Sequence, residues 1–237
     1  MASFLCYLMS IRLLFLLPLF HVIATDCFAS MHPLCHDDDS SALLQFKESF
    51  VMSKNACIHP SGYPKIASWK LEGMDRDCCS WDGVECDDDT GHVIGLDVSN
   101  GCLYGSMVSN SSLFRLVQLQ RLNLAYNNFS FSQIPSGFSQ LSRLTYLNLS
   151  NSSFSGQIPS KFSELSKLSY LDLSYNYMLH LGNLKGLVQN LTSLQDLYLN
   201  YVQISSPVPE NLIKFILFDN IGFNWLRITW RIPCWNF

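Results

Sequence analysis

The chain has 237 residues, of which 48% are hydrophobic and only 14% charged, and its formal net charge is −4. This length can bury a sizeable core, while the low, slightly negative charge gives no indication of a nucleic-acid partner or of a polybasic surface for anionic membrane. Nine cysteines are more than a typical cytosolic domain carries, and they indicate folding in an oxidising compartment.

The first segment, residues 1–29, has the pattern of a secretory signal peptide. A mostly apolar run, Ile11–Ile23, follows a short start that carries Arg12, and Ala29 offers a small residue for cleavage. The run is short for a bilayer span and contains Pro18, which favours cleavage over a retained signal anchor. We therefore expect the protein to enter the secretory pathway and to reach the cell surface or the extracellular space.

Residues 30–91 form a predicted N-terminal cap that begins with a helix. The helix is predicted from Asp37 to Phe50, because acidic and serine residues open it and Leu43, Phe46 and Phe50 fall on one face. The acidic run at its start could bind calcium, but we interpret it as a solvated helix start.

Residues 92–212 repeat one pattern about five times. The frame LxxLxLxxN recurs at steps of 26, 25, 24 and 26 residues, on Leu96, Leu122, Leu147, Leu171 and Leu197. Repeats of about 20–29 residues with this frame are typical of leucine-rich repeats, each of which supplies one short strand and one turn of a solenoid. We therefore predict an α/β fold: a right-handed leucine-rich-repeat solenoid with a short parallel sheet on the concave face and a disulfide-bonded helical N-terminal cap.

Strand alternation predicts which side chains enter the core. Leu122 and Leu124 should point inward, whereas Arg121, Asn123 and Ala125 should point outward. The asparagine that ends the frame should bond to backbone groups of the turn. Two repeats keep it and three depart from it, and we expect the three divergent turns to be held less firmly; the positions are Asn127 and Asn176 against Gly101, Ser152 and Val202.

The outward strand positions form two columns, which we interpret as a ligand-binding surface. One column reads Asp97, Asn123, Asn148, Asp172 and Tyr198, and the other reads Gly95, Arg121, Tyr146, Tyr170 and Asp196. Tyrosines beside acids and amides suit an extracellular peptide, protein or glycan, since aromatic rings combine a large contact area with a polar tip. The candidate binding residues are Arg121, Asn123, Tyr146, Asn148, Tyr170, Asp172, Asp196 and Tyr198. The alternative is that they are simply soluble residues of a strand face.

Five Asn-x-Ser/Thr sequons lie in the repeats, at Asn110, Asn128, Asn148, Asn151 and Asn190. Behind a signal peptide they are candidate N-glycosylation sites. Asn148 and Asn151 cannot both be equally easy acceptors, because they are three residues apart.

Catalytic motifs are missing from the sequence, which contains no HExxH, GxSxG, GxGxxG or Walker pattern. The six histidines are scattered without metal-ligand spacing, and His36 beside Asp37 is interpreted as a surface pair. We expect no enzyme activity, no cofactor and no metal site.

Two motifs carry a resemblance to a known family. The sequence CCSWDGVEC at residues 78–86, followed by TGHVIGLDVS at residues 90–99, resembles the N-terminal cap of plant leucine-rich-repeat receptor-like proteins of the Cf and Verticillium-resistance type. GQIP at residues 156–159 is similar to the plant-specific end of the repeat, from which GSMV at residues 105–108 departs. The resemblance implies an extracellular receptor in defence or development that signals through a co-receptor kinase.

The same resemblance implies two cap disulfides, Cys35–Cys78 and Cys79–Cys86. Parity among the remaining cysteines then favours a third bond, Cys57–Cys102, and leaves Cys234 without an obvious partner.

Residues 213–237 lose the repeat frame, and we expect a loosely ordered hydrophobic tail. Asp219, Arg227 and Arg231 interrupt it, so we predict no C-terminal membrane span in this chain. The family would continue with further repeats and a membrane helix, and we interpret the chain as an N-terminal fragment; a tail that caps the solenoid is the alternative. The alternative function is a soluble inhibitor of an extracellular enzyme, similar to polygalacturonase-inhibiting proteins.

Overall fold

The computed structural model of the protein describes residues 33–52, 54, 57–71, 77–207, 216–217 and 227–229. The predicted signal peptide and Cys234 lie outside these residues. Two α-helices are present in them, α1 (Asp37–Glu48) and α2 (Leu184–Val188). Five 3-10 helices span Lys65–Ser68, Cys78–Ser80, Ser112–Arg115, Ser136–Gln140 and Ser160–Glu164. The strands are β1 (Val51–Met52), β2 (Val84–Cys86), β3 (Val93–Asp97), β4 (Leu103–Tyr104), β5 (Arg121–Asn123), β6 (Tyr146–Asn148), β7 (Ser155–Gln157), β8 (Tyr170–Asp172), β9 (Met178–Leu181), β10 (Asp196–Tyr198), β11 (Gln203–Ile204), β12 (Ile216–Leu217) and β13 (Arg227–Thr229).

One eight-stranded sheet carries the repeats, in the order β12-β13-β10-β8-β6-β5-β3-β2. Strands β3, β5, β6, β8 and β10 run parallel, and their central leucines pair in one row: Leu96, Leu122, Leu147, Leu171 and Leu197. These strands follow one another at the spacing of the sequence repeat, which confirms the predicted leucine-rich-repeat solenoid. A second parallel sheet is formed by β7, β9 and β11, each of which comes after the turn that ends a strand of the first sheet.

The core combines the leucine rows with two ladders of phenylalanine rings. One ladder runs from α1 into the third repeat, with centroid distances of 5.0, 5.5 and 4.8 Å along Phe46, Phe50, Phe129 and Phe154. The other joins the 3-10 helices of successive repeats, at 5.2 and 5.9 Å along Phe114, Phe138 and Phe162. Every ring in both ladders is buried. Since one repeat cannot bury this surface alone, each repeat completes the core of its neighbour.

The cap helix buries the predicted face, but one acid at its start is placed differently from our expectation. Asp37 and Asp38 are exposed, whereas Asp39 is only 7% exposed. The Asp39 carboxylate accepts a hydrogen bond from the Val93 N–H at 3.0 Å and lies 3.1 Å from Nδ1 of His92. The prediction of a solvated helix start was wrong for Asp39, because this side chain ties α1 to β3.

Three disulfides hold the cap, and they are the pairs expected from the sequence. Cys35–Cys78 and Cys79–Cys86 each have a Cα–Cα distance of 5.4 Å, and Cys57–Cys102 has one of 4.1 Å. The last bond joins the loop after α1 to the first repeat, across 45 residues of chain.

The turn asparagines bond as predicted. Asn127 is fully buried; its Nδ2 donates to the carbonyls of Val98, Leu124 and Ala125, and its Oδ1 accepts from the Leu103 N–H. Asn176 repeats this arrangement two repeats further along.

The divergent turn at Ser152 is also held by its side chain. The Ser152 hydroxyl lies 2.9 Å from the carbonyl oxygens of both Leu124 and Ser150, which share its single proton. This turn is therefore firmer than we expected. Ala125, predicted to point outward, is only 2% exposed, because its position lies past the last residue of β5, where strand alternation ends.

The described parts of the tail are strands. β13 pairs antiparallel with β10, and β12 pairs antiparallel with β13. This pairing differs from the loosely ordered tail that we expected, and the rest of residues 213–237 lies outside the described residues. In the part of the chain that the structure describes, no helix has the length and apolar character needed to cross a membrane.

Candidate functional site: the concave face

The sheet places the eight candidate binding residues on one surface, which we call the concave face. Strand register aligns one column through Arg121, Tyr146, Tyr170 and Asp196 and the other through Asn123, Asn148, Asp172 and Tyr198. Arg121 is exposed and the other seven are partly buried. The register is what the sequence predicted, since each residue comes from the same position of its repeat.

Stacked tyrosines cover the centre of the concave face. The rings of Tyr146 and Tyr170 are nearly parallel, with centroids 4.4 Å apart, and the ring of Tyr198 follows at 5.3 Å with a tilt of 44°. Burial, assisted by the negative charge of Asp172, raises the pKa of Tyr170 well above its usual value. The Tyr170 hydroxyl therefore stays neutral, and the stack offers a flat aromatic surface with polar tips.

A pocket of about 290 Å³ lies where the cap meets the concave face. The guanidinium of Arg121 lies 5.9 Å from the ring centre of Tyr146, within the range of a cation–π contact. Glu85 of β2 and Asp97 of β3 line the same pocket. A Cβ at Gly95 would come within 2.9 Å of the Glu85 Cβ, so a side chain at this position would push β2 and β3 apart. We missed Glu85 in the sequence because we did not predict the antiparallel β2–β3 pair, whose signal is the short segment GVEC.

The side chains of the column that begins with Asp97 also form hydrogen bonds at the ends of their strands. Asp97, Asn123, Asn148 and Asp172 each accept a hydrogen bond through a side-chain oxygen from the N–H two residues further on, at 2.9–3.2 Å. These four side chains therefore stabilise the turn that follows each strand. Tyr198 cannot form this bond, and its ring contributes to the aromatic stack instead.

The acids of this column differ in their electrostatics. Burial raises the pKa of Asp97, but hydrogen bonds from Ser99 and the ion pair with Lys65 at 3.1 Å outweigh burial and lower the pKa overall. Burial raises the pKa of Asp172, and the hydrogen bond from the Ser174 N–H only partly offsets it. Hydrogen bonds and the ion pair therefore stabilise the charged form of Asp97 more than burial destabilises it, whereas the reverse holds for Asp172.

A second row of side chains, which we did not predict, borders the concave face. We call it the edge row; it contains one residue per repeat, namely Asn100, Tyr126, Asn151, Tyr175 and Tyr201. All five have left-handed φ angles, between 48° and 61°. Tyrosine rarely adopts this backbone conformation, so three such tyrosines in register are unusual. The positions of the row follow from the sequence, since each is the residue before a turn position, but their left-handed conformation does not.

The five sequons differ in exposure. Asn110 and Asn190 are exposed, whereas Asn128, Asn148 and Asn151 are partly buried. The cysteines Cys35, Cys78, Cys79 and Cys86 are the one group at metal-ligand spacing within the described residues, and all four are in disulfides.

Comparison with known proteins agrees with this architecture. Residues 36–87 match the family described as leucine rich repeat N-terminal domain, and residues 118–178 match the leucine rich repeat family. The chain is 44% identical over 211 residues to Receptor-like protein 7 of Arabidopsis thaliana, and 42% identical over 212 residues to Receptor-like protein Cf-9 of Solanum pimpinellifolium. Each alignment covers 85% of this chain, but only 20% and 24% of the respective relative.

A solved structure shows the same fold in a receptor ectodomain. The leucine-rich-repeat ectodomain of the plant membrane receptor kinase GASSHO1/SCHENGEN3 of Arabidopsis thaliana, in complex with Casparian strip integrity factor 2, has a TM-score of 0.54 and 27% identity. The structural alignment covers 71% of this chain and 19% of that ectodomain. The chain is therefore a leucine-rich-repeat protein with a cysteine-bonded cap. Within that class the relatives that it matches are plant receptor-like proteins, of whose length it spans about a fifth to a quarter.

Proposed function

We propose that the chain recognises an extracellular ligand through the concave face and takes part in plant defence or developmental signalling. The observation that carries this proposal is the stack of Tyr146, Tyr170 and Tyr198 across three adjacent repeats. Tyrosine is enriched among residues that dominate binding energies, and a preformed stack loses little conformational entropy on binding. A peptide, a protein segment or a glycan would lie across the parallel strands and contact one tyrosine per repeat.

The pocket beside the stack extends this surface toward the cap. Arg121 supplies a cation held over an aromatic ring, and Asn123 supplies an amide, while Asp196 lies at the opposite end of the same face. These polar groups would fix the position of a ligand whose contact area comes from the tyrosines. The relatives are receptor-like proteins, and we propose that signalling passes through a co-receptor kinase that joins the ligand-bound ectodomain.

The proposal includes a secreted or cell-surface location. Residues 1–29 would act as a signal peptide, the three cap disulfides would form in the oxidising secretory pathway, and the sequons would carry glycans. Sequencing the N-terminus of the protein recovered from the medium of expressing plant cells tests this directly. A mature chain that begins after Ala29 is expected, and a protein retained in the cytosol with Met1 intact would contradict it.

Binding is tested by panning the secreted protein against a displayed library of random peptides and by titrating it with a panel of neutral oligosaccharides. We expect Tyr170→Ala to weaken the selected binders at least tenfold, about 1.4 kcal/mol. Tyr104→Ala is the matched control, because Tyr104 is 48% exposed and lies in β4, outside the concave sheet. Equal affinities for the two variants, or no binder in either set, would contradict the proposal.

A further inference from the structure

The edge row places a sequon asparagine between two tyrosines. Asn151 follows Tyr126 and precedes Tyr175 in the row, since the Tyr126 N–H donates to the Ser150 carbonyl and the Asn151 N–H donates to the Ser174 carbonyl. The three residues share the same backbone conformation, with φ of 58°, 48° and 59°, so their side chains leave the turns in the same direction. With strands about 4.8 Å apart, the backbones of the two tyrosines lie about 10 Å from each other, and Asn151 occupies the position between them in the row.

The two neighbouring sequon asparagines are in different situations. The Asn148 Oδ1 accepts hydrogen bonds from the backbone N–H and the hydroxyl of Ser150, at 2.9 and 2.7 Å, and its Nδ2 lies 3.4 Å from the Tyr146 hydroxyl. Asn148 also lies in the middle of the concave face, between Asn123 and Asp172. Among the described residues, by contrast, the Asn151 amide has no hydrogen-bond partner. A glycan on Asn148 would have to leave a crowded strand face, whereas one on Asn151 would leave an open turn.

The gap has the chemistry of a sugar-binding slot. Tyr126 and Tyr175 are 40% and 37% exposed, so both rings offer surface to a group between them. No member of the edge row carries a charge, and aromatic rings beside amides suit the apolar faces and hydroxyl groups of a neutral saccharide. Backbone strain of this kind concentrates at functional positions. The Tyr175 ring is also held on its other side by Tyr201, with ring centroids 5.0 Å apart.

We propose that Asn151 is the glycosylated member of the Asn148/Asn151 pair and that the first saccharide of its glycan packs between Tyr126 and Tyr175. The glycan then completes the surface of the third repeat and stabilises the fold, while the concave face stays uncovered. This inference rests on the proposed secretory location, but it does not depend on the identity of any ligand.

Site mapping gives the first test. The full chain is secreted from plant cells, its glycans are released by a glycosidase that converts each occupied asparagine to aspartate in heavy-oxygen water, and the peptides are analysed by mass spectrometry. The label is expected on Asn151 and not on Asn148. Occupancy of Asn148 without Asn151, or of both to the same extent, would overturn the proposal.

A double-mutant cycle gives the second test. Asn151→Gln and Tyr175→Ala should each lower Tm, and the double variant should lose less than the sum of the two, because both remove the same contact. Asn110→Gln is the matched control: its sequon is exposed and lies outside the edge row, so its effect should add to that of Tyr175→Ala. The coupling should vanish after enzymatic removal of the glycans. Additive effects of Asn151→Gln and Tyr175→Ala, or a coupling that persists without glycan, would overturn the packing.

Discussion

Replacing the buried turn asparagine Asn127 with alanine should lower the free energy of unfolding by about 2–4 kcal/mol. The substitution leaves the buried Leu103 N–H without the Oδ1 that accepts from it at 3.0 Å, which costs about 1–3 kcal/mol. Lost amide bonds to Val98 and Leu124 add only about 1 kcal/mol, since these carbonyls keep the Gly101 N–H and the Ser152 hydroxyl as donors. For a chain of this size, such a loss lowers Tm by about 4–16 °C.

Thermal denaturation of the secreted, non-reduced protein measures this effect, with two variants as references. Asn123→Ala is the matched control, because Asn123 belongs to the same repeat but is partly exposed. Its Oδ1 accepts one backbone hydrogen bond, at 3.2 Å, and its Nδ2 donates to the Asp97 carboxylate at 3.0 Å. Asn127→Ser should fall between the two, since the Ser152 hydroxyl, one repeat further on, shares its one proton between two of the corresponding carbonyls. If Asn127→Ala costs no more than Asn123→Ala, the amide does not hold the turn in the way we infer.

Three further predictions concern the core, a buried charge and the cap. Leu147→Ala should lower the free energy of unfolding by about 2–5 kcal/mol because Leu147 is fully buried. Asn148→Ala should lower it by only about 1 kcal/mol, through the loss of its bonds to the following turn. Equal losses in chemical denaturation would contradict the assignment of the two side chains to opposite faces of the strand. Burial raises the pKa of Asp172, so the charged carboxylate destabilises the fold above that pKa. Asp172→Asn should therefore raise Tm at neutral pH, and this gain should shrink as acid protonates the wild-type carboxyl. A gain in Tm that grows in acid would contradict this assignment. Non-reducing peptide mapping should recover Cys57 joined to Cys102, and free thiols at both positions would disprove the bond. Replacing both cysteines with serine should lower the free energy of unfolding by up to about 4 kcal/mol on the chain-entropy model.

The repeats were predictable because each signal recurs. Five leucines at regular steps determine the register, and the register alone aligns Tyr146 with Tyr170 and Asn148 with Asp172. The register predicts which way a side chain points, but not which hydrogen bonds it forms, as Asn148 shows. From the sequence Asn148 was simply an outward residue, whereas the structure shows its carbonyl oxygen holding Ser150.

Features that occur once were not predictable in the same way. Asp39 looked like part of a solvated acidic run, and its burial depends on β3 lying 54 residues away in the sequence. Glu85 enters the concave-face pocket through the antiparallel β2–β3 pair, which is not part of the repeated parallel pattern. The edge row was missed for a different reason, since backbone conformation at Tyr126 or Tyr175 depends on how the whole turn closes and tyrosine normally argues against a left-handed φ.

The phenylalanine ladders have a consequence for how this architecture can change its size. Phe129 and Phe154 are 25 residues apart and Phe138 and Phe162 are 24 apart, and each ring presents to the next repeat the kind of surface that it receives from the previous one. A gene segment that encodes one such unit can therefore be copied or lost without creating an unfamiliar junction. The disulfide-bonded cap, which exists once, keeps its own contacts through every such exchange. Unequal recombination can thus lengthen or shorten the tyrosine-bearing face in whole repeats.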